Sequence, residues 1–188
     1  MTAEMAWQRR AAVLTVSDRS AAGEQEDVSG ALLAGLLEQR GWVVSERRVV
    51  PDEPAAIAAA LTELAGSGVP LVLTTGGTGL SPRDVTPDAT RSVADREVPG
   101  IAEALRAAGM GETPHAMLSR ATAAVRGRTL IVNLPGSPRG AESGFRTLEP
   151  VVDHAIGLIA GDAIESGHRV ADDSAARREP PHRAAGSP

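Results

Sequence analysis

The sequence predicts one α/β domain of three layers (αβα), with helices on both faces of a mostly parallel sheet. Short apolar runs rich in Val, Leu and Ile alternate along the chain with longer segments of helical periodicity. This alternation indicates strands paired in parallel through right-handed crossovers, so helices must cover both faces of the sheet. The chain has 188 residues, of which 42% are hydrophobic, and is long enough to bury a sizeable core.

The first half of the domain is predicted to contain three strands and two helices. Residues 11–16 form a short Val- and Leu-rich run that is typical of a buried strand. Apolar residues then recur at helical spacing from Val28 to Leu37, and Gly41 is the expected end of that helix. The remaining elements are a strand over residues 42–50, a helix that begins at Pro54 and ends near Gly66, and a strand over residues 71–75.

The second half is predicted to contain four helices and one strand. The segment Thr86-Pro87-Asp88 has the features of a helix start, namely a hydroxyl cap, a proline at the first position and an acid in the first turn. The other elements are a helix after Pro99, a strand over residues 129–133, and helices over residues 141–148 and 151–160.

These elements define the expected domain boundaries. The domain is predicted over residues 11–162, after an N-terminal extension over residues 1–10. Residues 163–188 are polar and contain prolines, so we expect a disordered tail there.

Composition argues against several classes of partner and compartment. Aromatic residues make up 2% of the chain and the formal net charge is −5, so neither base-stacking platforms nor a basic surface for nucleic acid is expected. No apolar run is long enough to span a bilayer, and the first residues are polar, so we expect a cytoplasmic protein without membrane contact. Cysteine is absent and all 19 basic residues are arginine, which excludes thiolate metal sites and a phosphate-loop lysine.

The most informative segment is "TTGGTGLSPRDVTPD", which leads from a predicted strand into a predicted helix. It is not a Walker A loop, because the chain has no lysine, and Pro82 stands where a dinucleotide-binding fingerprint needs its last glycine. Gly76, Gly77 and Gly79 allow main-chain N–H groups to approach an anion closely. The segment therefore predicts an anion site, although a glycine loop alone is also typical of a tight strand-to-helix turn.

Other polar segments are predicted to meet this loop. Ligands in open α/β sheets bind beyond the carboxyl ends of the strands, and "SDR" at residues 17–19 and "NLPGSPRG" at residues 133–140 follow strands at that edge. The planar guanidinium groups of Arg19, Arg120 and Arg139 are candidate phosphate clamps. Each could instead be a solvated surface arginine.

Two aspartates are candidate ligands of Mg²⁺, which takes one or two carboxylates together with phosphate oxygens. Asp84 follows the glycine loop, where it could instead form a turn hydrogen bond or pair with Arg83. Asp52 ends the second strand, and capping of the helix that begins at Pro54 is an equal alternative for it.

The segments "VSDR", "TTGGTG…RDVTPDAT", "VADREVPG", "HAMLSRA" and "NLPGSPRG" resemble, in this order, the MogA/MoaB family of molybdenum-cofactor biosynthesis. The G domain of gephyrin and its plant counterpart are relatives. The resemblance covers about residues 11–162 and implies a molybdopterin-binding α/β fold that is commonly trimeric. It also implies molybdopterin adenylyltransferase activity, in which Mg²⁺-dependent transfer of AMP from ATP gives adenylyl-molybdopterin and pyrophosphate.

The resemblance carries site residues onto matching positions of this chain. Asp84 is implied as an essential acid and Asp52 as its partner, and both are implied as ligands of Mg²⁺. The residues expected to contact molybdopterin or ATP are Ser17, Asp18, Arg19, Thr75, Gly76, Gly77, Thr78, Gly79, Arg83, Ser119, Arg120, Pro135, Gly136, Ser137 and Arg139.

The expected chemistry joins two anions. The acceptor phosphate is already ionised, so no general base is needed, and backbone N–H groups, arginines and Mg²⁺ would offset the repulsion. The alternatives are a MoaB-like protein that binds molybdopterin with little or no transfer, and a non-catalytic trimeric scaffold. A separate protein would then insert molybdate.

Overall fold

The computed structural model describes residues 9–161, and its centre is a six-stranded sheet with the order β2-β1-β3-β6-β5-β4. The strands are β1 (Arg10–Val16), β2 (Val43–Val50), β3 (Leu71–Thr75), β4 (Arg96–Glu97), β5 (Ala123–Arg126) and β6 (Thr129–Leu134).

The strand pairing creates a switch point between β1 and β3. Parallel pairs join β1 to β2, β1 to β3 and β3 to β6, whereas β5 is antiparallel to both β6 and β4. Because the chain moves from β1 to one side for β2 and to the other side for β3, a crevice is expected at the carboxyl ends of β1 and β3.

Helices cover both faces of the sheet, which confirms the predicted three-layer fold. The α2 and α6 helices pack together on one face with α5, while α3 and α4 pack together on the other. The helices are α1 (Asp18–Ala21), α2 (Val28–Gln39), α3 (Pro54–Gly66), α4 (Thr86–Val93), α5 (Pro99–Met110) and α6 (Pro138–Ala160), and a 3-10 helix spans Pro114–Leu118.

Each face of the sheet has its own apolar core because successive strand residues point to opposite faces. In β1, Val13 belongs to the core under α2 and α6, and Leu14 belongs to the core under α3. Leu33 and Leu148 also belong to the first core, and Leu61 also belongs to the second; all of these side chains are buried. The aliphatic interior follows from a composition with 2% aromatic residues.

The structure corrects the predicted pair of helices at the C-terminal end of the domain. A single helix, α6, runs from Pro138 to Ala160 and contains Pro150. Pro150 lacks an N–H and usually breaks a helix. Here Leu148 and Val152, on either side of it, are buried in the same core, and this packing favours one continuous helix.

Four elements were not predicted from the sequence, namely α1, β4, the 3-10 helix and β5. Both β4 and β5 are very short, so they give little periodic signal. No helix in residues 9–161 combines the length and apolar character needed to cross a membrane. The predicted tail over residues 163–188 and most of the predicted extension over residues 1–10 lie outside the described residues.

Candidate active site

The glycine loop, defined here as residues 76–79, begins where β3 ends, at the crevice between β1 and β3. Gly76 and Gly77 have φ values of +99° and +62°, in the region that favours glycine. A Cβ on Gly76 would overlap the carbonyl oxygen of Val16 at the end of β1, and a Cβ on Gly77 would overlap the hydroxyl of Thr86. Both positions therefore require glycine for backbone conformation and for space.

The loop leaves several of its amide groups without a partner. The N–H of Gly76 donates to the carbonyl of Leu134 on β6. Within residues 9–161, the N–H groups of Gly77, Thr78 and Gly79 donate no hydrogen bond. Unpaired backbone donors on a glycine loop are the arrangement that binds phosphate oxygens.

The segment after β6 packs backbone to backbone against this loop. The hydroxyl of Thr75 donates to the carbonyl of Pro135 at 2.8 Å, and a Cβ on Gly136 would lie 3.1 Å from the Cα of Gly76. The hydroxyl of Ser137 accepts from the N–H of Gly140 and caps α6, whose N-terminus therefore lies near the loop. These contacts bring two of the predicted segments together.

Asp18 and Asp52 are joined by a reciprocal pair of hydrogen bonds. The N–H of Asp18 donates to Oδ2 of Asp52 at 2.8 Å, and the N–H of Asp52 donates to Oδ1 of Asp18 at 2.9 Å. This overturns the alternative in which Asp52 caps α3, because Glu53 is the N-cap and no side chain caps that helix. Burial raises the pKa of Asp52, and the nearby charges of Asp18 and Asp84 raise it further.

Arg83 pairs with Asp18 rather than with Asp84. Its Nε and Nη2 atoms donate to the carboxylate of Asp18 at 2.5–3.0 Å. These hydrogen bonds from Arg83 lower the pKa of Asp18. Arg83 thus reaches across the crevice from the glycine-loop side to the end of β1.

Asp84 and Asp52 both lie beside the glycine loop. Its Oδ2 atom accepts from the N–H of Ser81 at 2.7 Å and would lie 3.0 Å from a Cβ on Gly79, while Oδ1 of Asp52 would lie 3.1 Å from a Cβ on Gly77. In the described residues, Oδ1 of each of these two aspartates accepts no hydrogen bond, which leaves it free to bind a cation.

The two carboxylates fit Mg²⁺ only as a partial set of ligands. The described part of the chain has no group of three or more His, Asp or Glu side chains arranged to hold a metal ion. Mg²⁺ commonly takes one or two protein carboxylates and completes its shell with water and substrate phosphate oxygens. Asp52 and Asp84 therefore fit a Mg²⁺ ion that arrives with a phosphate ligand.

The three arginines predicted as phosphate clamps have different surroundings. Arg120 donates to the carbonyls of Gly79 and Asp84 at 3.1 and 2.5 Å and pairs with Asp88, so its guanidinium holds the protein's own loop. Arg139 pairs with Glu112 and has an 81% exposed side chain. Arg19 lies exposed on α1, and its side chain forms no hydrogen bond or ion pair within residues 9–161.

Two pockets border the glycine loop, one at Gly76 and the other at Thr78 and Gly79. The first, of about 280 Å³, is lined by the loop, α5, the 3-10 helix and the start of α6. The second, of about 260 Å³, lies between the end of β1 and the start of α2. The first contains the predicted residues Thr78, Gly79, Ser119, Pro135 and Ser137, and the second contains Ser17, Thr75, Gly76 and Gly136.

Several pocket residues were missed from the sequence. His115 lines the first pocket, and Thr15 and Asp27 line the second; Asn133, in the predicted segment over residues 133–140, also lines the first. The hydroxyl of Thr15 is buried without a partner in the described residues, and Asp27 caps α2 by accepting from the N–H of Gly30. The only available signals were the acid before a helix start and the His within "HAMLSRA", and neither indicates a pocket by itself.

Comparison with known proteins identifies close relatives. A family model described as "Probable molybdopterin binding domain" matches residues 12–154. The molybdopterin adenylyltransferase of Haemophilus influenzae is 43% identical, over 75% of this chain and 72% of its own. The crystal structure of the molybdopterin biosynthesis enzyme MoaB from Thermus thermophilus superposes with a TM-score of 0.77 at 48% identity, covering 81% of this chain and 96% of that one.

Some relatives are longer than this chain. The molybdenum cofactor biosynthesis bifunctional protein of Synechococcus elongatus is 42% identical over 80% of this chain, which spans 47% of that protein's length. Residues 12–154, which the family model matches, contain the glycine loop, both pockets and all of the sheet except the first two residues of β1. The chain therefore belongs to the molybdopterin-binding domain family that the sequence resembles.

Proposed function

We propose that this chain is a molybdopterin adenylyltransferase that transfers AMP from ATP to the phosphate of molybdopterin. The observation that carries the proposal is the glycine loop with its unpaired N–H groups, which lies between two pockets. One pocket can receive each reactant, so that the two phosphate groups meet at the loop. The name and 43% identity of the Haemophilus influenzae relative support the same activity.

The reaction joins an oxygen of the molybdopterin phosphate to the α-phosphorus of ATP. As that bond forms, the bond from the α-phosphorus to the bridging oxygen breaks, and pyrophosphate leaves with the electron pair. The N–H groups of Gly77, Thr78 and Gly79 would donate to the phosphate oxygens and offset the repulsion between the two anions. The acceptor oxygen is already ionised, so no side chain has to remove a proton.

Asp52 and Asp84 would hold the Mg²⁺ ion, which supplies positive charge to the transferring phosphate. Arg83 would keep Asp18 and its hydrogen-bonded partner Asp52 in place through the contacts described above. Both aspartates then act by binding the metal and not as nucleophiles.

The test is incubation of the purified chain with molybdopterin, Mg²⁺ and ATP labelled on the α-phosphate. We expect labelled adenylyl-molybdopterin and an equal amount of pyrophosphate. Asp84→Asn should lower kcat by about 10²–10³-fold, the usual loss for a group that stabilises transition-state charge. Wild-type protein that forms no labelled pterin would overturn the proposal, and an Asp84→Asn variant with full kcat and unchanged Mg²⁺ dependence would overturn the metal role.

A second candidate function is MoaB-like molybdopterin binding with little or no transfer, which the match to a "Probable molybdopterin binding domain" also supports. A binder would protect molybdopterin from oxidation without releasing pyrophosphate. A scaffold would need neither ATP nor Mg²⁺ for its role. The labelled-ATP experiment separates transfer from both alternatives, because neither a binder nor a scaffold would form labelled pterin or pyrophosphate.

The assembly and location of the protein belong to the same proposal, on family membership alone. We propose a homotrimer in the cytoplasm that passes its product to a separate molybdate-inserting protein. Light scattering after size-exclusion chromatography should give three times the 19.3 kDa mass of the chain. A monomer mass would contradict the trimer but not the activity.

A further inference from the structure

A chain of buried hydrogen bonds runs from β6 to the glycine loop. Nδ2 of Asn133 donates to the hydroxyls of Thr74 and Thr90, both at 3.0 Å. The hydroxyl of Thr90 donates in turn to the carbonyl of Thr86 at 2.9 Å, one helical turn earlier in α4. All four residues have 0% exposure, so each polar group depends on its protein partner.

Thr86 is the end of this chain that contacts the loop. Its hydroxyl donates to the carbonyl of Gly76 at 2.9 Å, and its N–H donates to the carbonyl of Gly77 at 3.1 Å. The sequence predicted Thr86 as the helix cap, but Val85 is the N-cap and no side chain caps α4. The hydroxyl is therefore used by the loop and not by the helix.

The two bonds from Thr86 decide which way two peptide groups face. In a trans peptide the C=O of one residue and the N–H of the next point in opposite directions. Because Thr86 draws the carbonyls of Gly76 and Gly77 towards α4, the N–H groups of Gly77 and Thr78 must point away from it. These are two of the N–H groups that donate no hydrogen bond within residues 9–161.

We infer that Thr86 is a positioning residue that orients the Gly77 and Thr78 N–H groups towards the transferring phosphate. Thr90 holds Thr86 in place through its hydrogen bond to the Thr86 carbonyl, and Asn133 in turn holds Thr90. This inference rests on the proposed function and adds a residue that acts through the loop without touching either reactant. It also explains why a buried polar chain leads into the loop: the loop's glycines have no side chains that could hold it in one conformation.

The test compares Thr86→Val with the matched variant Thr129→Val. Thr129 is also buried, and its hydroxyl donates to the carbonyl of Val69 at 2.6 Å, at the opposite end of the sheet from the glycine loop. Each substitution removes one buried hydroxyl-to-carbonyl hydrogen bond and keeps the side-chain shape. A purely structural role for Thr86 predicts that both variants lose stability and neither loses turnover.

We expect Thr86→Val to lower kcat by about 10²-fold, the cost of a small misplacement of reacting groups, with little change in KM for ATP. Thr129→Val should keep the wild-type kcat below its melting temperature, and Thr86→Ser should recover turnover because it restores the hydroxyl. Equal kcat values for the Thr86→Val and Thr129→Val variants would overturn the inference.

A second measurement does not depend on turnover. In ¹H–¹⁵N spectra, titration with inorganic pyrophosphate should shift the amide signals of Gly77 and Thr78 in the wild type and in Thr129→Val, and shift them much less in Thr86→Val. If the wild type transfers no AMP but shows this pattern, the proposed function fails and the positioning role stands. The positioning role would be contradicted if these amide signals did not shift in the wild type, or if they shifted as far in the Thr86→Val variant as in the wild type.

Discussion

At the scale of single residues, the site depends on positions where no other residue type fits. Gly76 combines a φ of +99° with a backbone neighbour, the carbonyl of Val16, that cannot move aside as a side chain could. Asp52 and Asp84 each leave one oxygen without a partner in the described part of the chain. The glycine is required by backbone space, whereas the unpartnered carboxylate oxygens serve no contact within the fold and are available to a ligand.

Gly76→Ala should destabilise the protein by about 1–3 kcal/mol from backbone strain, together with the cost of relieving the overlap with Val16. Gly35→Ala is the matched control, because Gly35 lies inside α2 and a Cβ there meets nothing within 4 Å. The control should gain about 0.5–1 kcal/mol. Urea unfolding of the two variants measures both values, and a Gly76→Ala variant as stable as the wild type would contradict the close approach.

At the scale of elements, Glu97 connects the short antiparallel strand β4, at the edge of the sheet, to α4 and to the residue before β5. Its carboxylate accepts from Nε of Arg91 on α4 at 3.1 Å and from the hydroxyl of Thr122 just before β5 at 3.0 Å. Two-residue β4 has few hydrogen bonds of its own, so these side-chain contacts help to hold it against β5.

Glu97→Gln should make the melting temperature of the protein less dependent on pH. The hydrogen bond from Arg91, and then that from Thr122, lowers the pKa of Glu97 below its usual 4.5. The ionised carboxylate therefore stabilises the fold above pH 4.5, and this stabilisation is lost as the pH falls through the lowered pKa. We expect the wild type to have a higher melting temperature than the Glu97→Gln variant at pH 7. When melting temperature is plotted against pH, the two curves should converge in acid.

The control for this measurement is Glu103→Gln, which removes a carboxylate on α5 that has no partner within residues 9–161. Its melting temperature should follow that of the wild type across the same pH range. A Glu97→Gln difference that persists unchanged into acid would contradict the ionic origin of the effect.

At the scale of the whole molecule, the site exists only in the folded chain. The glycine loop follows β3, Asp18 follows β1, and the Pro135–Ser137 segment follows β6, so three parallel strands must pair before the crevice forms. A ligand that binds this crevice binds the native state alone and must raise its stability.

Mg·ATP should therefore raise the melting temperature. At about 100 times Kd the expected gain is about 2.7 kcal/mol, and each kcal/mol corresponds to about 2–4 °C for a chain of this size. ATP with a chelator should give a smaller rise, and Asp84→Asn should reduce the difference between the two conditions. An unchanged melting temperature with Mg·ATP would contradict nucleotide binding at this site.

Much of the fold was predictable because it depends on local patterns. The apolar alternation predicted the layers, and the glycines, prolines and helix stops predicted most element boundaries within about two residues. Pro150 misled the prediction because a proline signal is local, whereas the packing of Leu148 and Val152 that keeps α6 continuous is not. The edge strands β4 and β5 were missed because they are too short to show a period.

The sequence by itself determined the α/β layering, the glycine loop at a strand end and the family. Each of these can be recognised from the periodicity or the motifs of short contiguous segments. Only the tertiary structure decided that Asp18 and Asp52, 34 positions apart, exchange hydrogen bonds, that Arg83 pairs with Asp18, and that Thr86 serves the loop instead of capping α4. The physical reason is that these roles depend on which side chains the paired strands bring within hydrogen-bonding distance, and no local pattern contains that information.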